Sequence, residues 1–168
     1  FCREPETVMT VTTPDIINLI DRCVLCWLAT SDPLGHPNVS PKEIFCLGSI
    51  DQFLIADIAS PRSVSNIKAQ PNVCISMVDI FDQRGVKLSG KAKLIHCDEP
   101  DFAAIAKPLM AMAGPRFPIK NVIRVTLENK EPIIAPSYYL RRDQSNLEKR
   151  NAAYKAYGVR PISDRRAE

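Results

Sequence analysis

Runs of apolar residues divide the middle of the chain into short extended segments. Residues 86–94 alternate strictly, which predicts a strand with one buried and one exposed face. The side predicted to face inward is Val86, Leu88, Gly90, Ala92 and Leu94. Nearly continuous apolar runs at residues 24–30, 53–58 and 73–80 predict buried strands, and residues 119–134 predict a final strand or a bulged pair.

A further extended segment, "PNVSPKEIFCL" at residues 37–47, contains a proline. Pro41 has no backbone N–H and cannot donate to a sheet on both sides, so we expect it at a sheet edge or a bulge. The preceding "SDPLGHP" is rich in turn residues, and Gly35 suits a positive φ. The pattern therefore predicts a hairpin that ends in an edge strand.

Helical signals flank the predicted strands. Thr13 is the expected N-cap of a first helix, with Pro14 at its first position. Residues 98–114 predict a second helix, interrupted at Pro108 and ended by Gly114. Residues 141–168 predict a polar helix and a frayed basic tail, whose mixed charges are typical of a solvated helix face.

Length and connection lengths favour one mainly β domain. The 168 residues are 45% hydrophobic, which is enough for one packed core. Most connections are too short for the crossovers of a parallel sheet, so an antiparallel barrel or sandwich is expected. We treat residues 1–168 as a single domain.

Composition excludes several function classes. A net charge of +3 is too small for a protein that coats nucleic acid, and the adjacent Tyr138 and Tyr139 are interpreted as core or dimer packing. No apolar run approaches the length of a membrane span, and a cytoplasmic location is expected. Six cysteines are expected as reduced thiols, since a core of this size needs no disulfides.

The pair Cys23 and Cys26 forms an isolated C-x-x-C motif. No second such pair exists, and His36 and His96 lack the spacing of zinc ligands relative to it. We interpret both cysteines as core residues, with a redox pair or half of a metal site as the alternative.

The stretch "ADIASPRSVSNIKAQPNV" at residues 56–73 holds the candidate chemistry. Standard loops for nucleotides, acyl-enzymes and zinc hydrolases are absent from the sequence. A helix predicted to start at Pro61 would present free backbone N–H groups beside Arg62, which suits a phosphate dianion. The alternative is that Ser60 or Ser63 merely caps the helix and that Arg62 is solvated.

The order of these pieces resembles the pyridoxamine 5'-phosphate oxidase-like superfamily of FMN-binding split β-barrels. The resemblance rests on "CWLATSDPLGHPNVSPKEIF", "SPRSVSNIKAQPNVCISM" and "GVKLSGKAKLI", and it covers residues 14–97 best. It implies a mainly β fold, a six-stranded antiparallel Greek-key split barrel with flanking helices. It also implies a homodimer with one FMN in each of two clefts between the subunits.

The resemblance assigns roles to particular positions. Residues expected along the isoalloxazine ring are Val39, Ser40, Pro41 and Lys42. Residues expected around the phosphate are Ala56, Asp57, Arg62, Ser63 and Asn66. Ser63 stands where many relatives carry a lysine, so Arg62, the hydroxyls and Lys42 would hold the phosphate. Lys87 matches a position where relatives often carry a basic residue near the flavin, with an ordinary surface lysine as the alternative.

The expected function is that of an FMN-dependent oxidoreductase acting on a small molecule that the sequence does not identify. The namesake enzyme carries an R-x-H signature near its C-terminus, whereas this chain has Arg141 and Arg142 but no histidine there. We therefore do not expect pyridoxamine 5'-phosphate oxidase activity. The alternative is a non-catalytic binding or carrier protein on the same barrel, holding a flavin, a deazaflavin or a haem-related group.

Overall fold

One antiparallel sheet forms the body of the protein in the computed structural model, which describes residues 11–49 and 51–161. Its strands are β1 (Cys26–Ser31), β2 (Pro37–Lys42), β3 (Phe45–Leu47), β4 (Gln52–Asp57), β5 (Asn72–Asp79), β6 (Arg84–His96) and β7 (Asn121–Ile134). The helices are α1 (Thr13–Ile20), α2 (Pro61–Ala69), α3 (Phe102–Ala113), α4 (Ser137–Leu140) and α5 (Asn146–Tyr157). The strand order is β2-β1-β5-β6-β7-β4-β3.

The sheet rolls into a split barrel because β2 and β3 lie at its opposite edges and are joined by a short connection, which brings the two edges together. β2 pairs with β1 at one edge, and β3 pairs with β4 at the other. The chain crosses the gap at residues 43–44, where the backbone N–H of Ala56 donates to the carbonyl of Ile44 at 3.0 Å. The predicted mainly β split barrel is confirmed. Seven strands replace the expected six because this crossing divides the extended segment 37–47 into β2 and β3.

The barrel interior holds the main apolar core. Leu28, Phe53, Ile75, Leu88 and Ile123 are fully buried there, each from a different strand. The alternation predicted for β6 is confirmed, with its lysines on the exposed side. Gly90 is required opposite the β-bulge of β7, because a Cβ there would lie 2.0 Å from the backbone carbonyl oxygen of Thr126.

The outer face of the sheet is covered over only part of its width. α3 packs Ala106 and Leu109 onto Leu54, Ala56 and Val122 in a second apolar cluster. Across β2 and β1, by contrast, Val39 and Trp27 remain 57% and 46% exposed. Pro41 lies beside them on β2, which confirms the prediction that it occupies an edge strand.

Two helix details differ from the sequence predictions. The N-cap of α1 is Thr12 and not Thr13, because this choice places Asp15 at the third helical position and completes a reciprocal capping box. Pro108 does not interrupt α3, which runs through it and ends at Gly114 as predicted. Because Pro108 has no N–H, the carbonyl of Ala104 has no hydrogen-bond partner within the helix. Both residues are exposed, so water can bind that carbonyl.

The C-terminal helices are docked on the β5–β6 turn. Arg150 pairs with Asp82 at 2.6 Å, and Ala153 is buried, so the predicted solvated face is wrong for this part of α5. The Tyr138 hydroxyl donates to the carbonyl of Asp82 at 2.7 Å. The tail predicted beyond α5 lies partly outside the described residues. No helix in residues 11–49 and 51–161 combines the length and apolar character needed to cross a bilayer.

Candidate functional site

A cavity of about 280 Å³ opens where the barrel is split. It lies between the end of β2, the end of β4 and the start of α2. Its walls are mainly apolar, and they include Pro41, Ile44, Ala56, Ile58 and Phe117. Three polar residues, Lys42, Glu43 and Ser60, line the same cavity, and Lys42 is the buried cation among them.

Lys42 is held in the barrel interior by its register. It lies opposite Cys26 on β1, its side chain is 6% exposed, and its Nζ donates to the hydroxyl of Ser60. Burial lowers the pKa of Lys42 from its ordinary value of 10.5, and the nearby Asp57 carboxylate opposes that shift. The ammonium group is therefore fixed beside the start of α2, and no carboxylate of residues 11–49 or 51–161 forms an ion pair with it.

Asp57 organises the turn that joins β4 to α2. It is 3% exposed, and its carboxylate accepts hydrogen bonds from the backbone N–H of Ser60 at 3.1 Å and from Asn121 Nδ2 at 2.7 Å. Its carbonyl accepts from the backbone N–H of Lys120 at 2.9 Å. These contacts fix the start of α2 relative to β7 and leave the carboxylate oxygens occupied.

The start of α2 is open to an anion. Pro61 occupies the first helical position, and the Ser60 side chain makes no capping hydrogen bond within the described residues. The first-turn N–H groups of Arg62 and Ser63 have no partner within the helix, and together they carry the positive end of its dipole. Arg62 is exposed beside them and forms no ion pair with any described residue.

Two of the predicted phosphate residues turn towards the sheet. The Ser63 hydroxyl lies 3.1 Å from that of Ser40, and Asn66 Nδ2 donates to the Thr30 hydroxyl at 3.0 Å. Ser63 and Asn66 are 1% and 6% exposed. These side chains therefore hold α2 against β1 and β2, and among the polar groups here Arg62, Ser60, Lys42 and the backbone N–H groups remain available to an anion.

The structure brings most of the predicted site residues to this end of the barrel, with two exceptions. Val39 points outward from the edge strand, away from Lys42 and Ser40. Lys87 lies on β6 and is separated from Pro41 on β2 by the paired residues Trp27 on β1 and Ser76 on β5. Three strand spacings amount to about 14 Å. Its Nζ pairs with Glu131 at 2.7 Å, so within one chain Lys87 does not reach the cavity.

Several cavity residues were not among the predicted site residues. Ile44 lies two residues after Lys42, and Ile58 directly follows Asp57, so their proximity to the predicted site residues was a usable signal. Phe117 comes from the loop between α3 and β7, and no pattern near it indicates contact with residues far earlier in the chain.

None of the five described cysteines lines this cavity, although Cys26 lies opposite Lys42 in the β1–β2 pair. Burial raises the pKa of Cys23 to about 11 and that of Cys26 to about 12, so both thiols are protonated at neutral pH. A protonated thiol is a poor metal ligand and a poor nucleophile, which favours the core interpretation. The five described cysteines form no disulfide with one another, and Cys2 lies outside the described residues.

A family model decides the classification of the chain. Residues 12–132 match the model described as pyridoxamine 5'-phosphate oxidase. The chain belongs to this family. The match spans the whole split barrel from α1 to most of β7, including the cavity at Lys42 and the start of α2.

Solved structures agree on the fold at low sequence identity. An FMN-binding protein from Syntrophomonas wolfei aligns with a TM-score of 0.62 at 16% identity, covering 71% of this chain and 84% of that one. HupZ from Group A Streptococcus aligns with a TM-score of 0.61 at 23% identity, covering 71% and 92%. HutZ, a haem storage protein from Vibrio cholerae, aligns with a TM-score of 0.59 at 18% identity, covering 73% and 93%. No curated protein matches the chain in sequence.

Proposed function

We propose that this protein binds FMN at the split of its barrel and acts as an oxidoreductase on a small molecule. The observation that carries the proposal is that a mainly apolar cavity, lined by the buried Lys42, lies beside an open α2 N-terminus whose first turn carries the exposed Arg62. The family supports it, and the FMN-binding protein from Syntrophomonas wolfei has the same fold.

The phosphate end of FMN would lie at the start of α2. The two free backbone N–H groups of Arg62 and Ser63 and the helix dipole favour a dianion, and the Arg62 guanidinium supplies charge-assisted hydrogen bonds. Ser60 adds a hydroxyl that Lys42 already orients. The Asp57 carboxylate, which accepts from Ser60 and Asn121, keeps its negative charge nearby, and the Lys42 ammonium group offsets it.

The ring end would lie against Pro41, Ile44 and Ala56. Pro41 presents a backbone without an N–H, so a flat ring can approach this edge strand without leaving a donor unsatisfied. FMN would supply the hydride chemistry, and the protein would supply orientation and electrostatics. The ammonium group of Lys42 would stabilise negative charge that develops on a bound ring, and the surrounding apolar walls would strengthen that interaction.

We also propose that the functional unit is a homodimer. The cavity of about 280 Å³ is at the small end for a pocket that encloses a ligand of this size, so a second wall is needed. The bare half of the outer sheet face, with Trp27 and Val39 exposed next to Pro41, adjoins the cavity and suits a second copy of the chain. Such packing would also place Lys87 at the interface.

The substitution Trp27→Glu tests the dimer. We expect sedimentation equilibrium to show a dimer for the parent protein and a monomer for this variant, with weaker FMN binding in the monomer. Leu140→Glu is the matched control, because Leu140 is 81% exposed on α4, which docks on the β5–β6 turn. A parent protein that is monomeric at micromolar concentration and still binds FMN tightly would contradict the dimer proposal.

Pyridoxamine 5'-phosphate oxidase activity itself is not part of the proposal. Both histidines of the chain, His36 and His96, precede the C-terminal region where the namesake enzyme carries its R-x-H signature. His36 is paired with Asp32 in the β1–β2 turn, and His96 lies beside Asp98 at the end of β6. Neither histidine lines the cavity at Lys42.

The absorbance spectrum of the purified protein tests the cofactor. We expect a flavin spectrum, and release of FMN on denaturation. A haem or deazaflavin spectrum would instead support the alternative of a binding protein on the same barrel, for which the fold of HutZ is a precedent. Reduction of the bound flavin by a nicotinamide in the presence of an artificial acceptor would distinguish an enzyme from a carrier.

A further inference from the structure

A second cavity, of about 510 Å³, lies beside α3 and the loop that follows it. Every side chain that lines it is apolar. The lining includes Phe102, Met110 and Ala111 from α3 and Pro115, Phe117 and Ile119 from the loop. A site of this composition offers contact area to a ligand but no charge and no side-chain hydrogen bond.

The loop that lines this second cavity is hydrogen-bonded to Asp57, beside the Lys42 cavity. It starts at Gly114, with a φ of 69°, and contains two prolines, which restrict its conformations. The backbone N–H of Lys120 donates to the carbonyl of Asp57 at 2.9 Å. Asp57 thus fixes both the start of α2 and the end of this loop.

Phe117 lines both cavities. Its side chain is 54% exposed, and Met110, which also lines the second cavity, is 52% exposed. A molecule that contacts Phe117 can therefore extend one way towards Lys42 and the other way along α3. Methionine side chains adapt to ligands of differing shape, so this wall suits apolar groups of varied shape and is not specific for a single one.

We propose that the cavity beside α3 binds the apolar body of an uncharged substrate whose reacting end meets the bound ring at the edge of the Lys42 cavity, beside Phe117. This inference rests on the proposed function, because Lys42 and Arg62 are there assigned to FMN. With those two cations engaged, no basic side chain lines either cavity to hold an anionic substrate. A phosphorylated substrate would bury its charge without a partner, which is strongly unfavourable.

Two fluorescent probes that differ by one charge test the substrate class. N-phenyl-1-naphthylamine is neutral, and 8-anilinonaphthalene-1-sulfonate has the same ring system with a sulfonate. Titrated into FMN-saturated protein, the neutral probe should bind at least about tenfold more tightly than the anionic one, as expected for an uncharged apolar site.

The substitution Ala111→Trp tests the location by filling the cavity. We expect it to weaken binding of N-phenyl-1-naphthylamine by about tenfold or more while FMN affinity stays at the parent value. Ala103→Trp is the matched control on the same helix, since Ala103 is exposed and does not line the cavity. It should bind the probe like the parent, and circular dichroism should show both variants folded.

Unchanged probe affinity in Ala111→Trp, or equal affinity for the two probes, would overturn the inference. The inference would also be overturned if Ala111→Trp converted a dimer to a monomer without changing probe affinity. The surface beside α3 would then belong to a subunit interface. If the protein fails to bind FMN yet binds the neutral probe in an Ala111-dependent way, the proposed cofactor is wrong and the apolar site stands.

Discussion

Replacing Arg62 with alanine tests the phosphate site directly. Arg62 is exposed, lies in the first turn of α2 and has no ion-pair partner among the described residues, so the substitution removes no ion pair from that part of the chain. A hydrogen bond to a charged group contributes about 1.5–3 kcal/mol, which corresponds to about a ten- to hundredfold change in affinity. Exposure to solvent screens the contact, so we expect a loss of FMN affinity nearer about tenfold.

The assay compares FMN with riboflavin, which lacks the phosphate. Flavin fluorescence quenching gives both dissociation constants. Arg62→Ala should weaken FMN binding and leave riboflavin binding unchanged, because the deleted group contacts only the phosphate. Urea unfolding should show a change of less than about 0.5 kcal/mol, as is usual for an exposed side chain without partners.

Lys68→Ala is the matched control for net charge. Lys68 is an exposed cation in the last turn of the same helix, about 9 Å along the axis from Arg62. It should leave FMN affinity nearly unchanged, with only a small effect that salt removes. Equal FMN affinities in Arg62→Ala and the parent, or equal losses in the two variants, would refute a specific contact between Arg62 and the phosphate.

Three further predictions concern the support of the site and the thiols. Asp57→Ala should lower the free energy of unfolding in urea by about 1–3 kcal/mol, because it leaves the Ser60 N–H and Asn121 without their acceptor; a change below about 0.5 kcal/mol would contradict this. In native protein near pH 8, iodoacetamide should modify the exposed Cys97 much faster than the buried Cys26, as mass spectrometry of peptides can show, and comparable rates would oppose a core role for Cys26. Folding raises the pKa of the Cys26 thiol from its ordinary value of 9.0 to about 12. The contribution of this thiol to the free energy of unfolding is therefore fully present below pH 9.0 and is lost as the pH rises towards 12. The free energy of unfolding should fall less over this range in Cys26→Ala than in the parent protein.

Local chemistry along the chain predicted much of this fold. The alternation through β6 and the missing N–H of Pro41 each report on one strand and its immediate neighbours, and both predictions are confirmed. The wrong N-cap at α1 could also have been corrected from local sequence. A capping box needs an acceptor side chain three residues after the N-cap. Thr12 has Asp15 at that position, whereas Thr13 has Ile16.

Other features depend on where an element lies in the whole fold. Pro108 remains inside α3 because its side of the helix faces solvent, and exposure is a tertiary property. Phe117 reaches the Lys42 cavity only because the α3–β7 loop returns across the end of β4. No periodicity or turn signal could reveal either fact from the sequence.

The end of β4 links the two parts of the candidate site by two different kinds of contact. The Asp57 carboxylate holds Ser60 at the start of α2, and its backbone carbonyl holds Lys120 at the end of the loop that carries Phe117. Removing the carboxylate therefore loosens the phosphate end while the loop keeps its anchor. Because both anchors belong to one residue of a buried strand, the proposed phosphate site and the apolar wall at Phe117 are held at a fixed spacing. That spacing would set how far from the ring the body of a bound substrate lies.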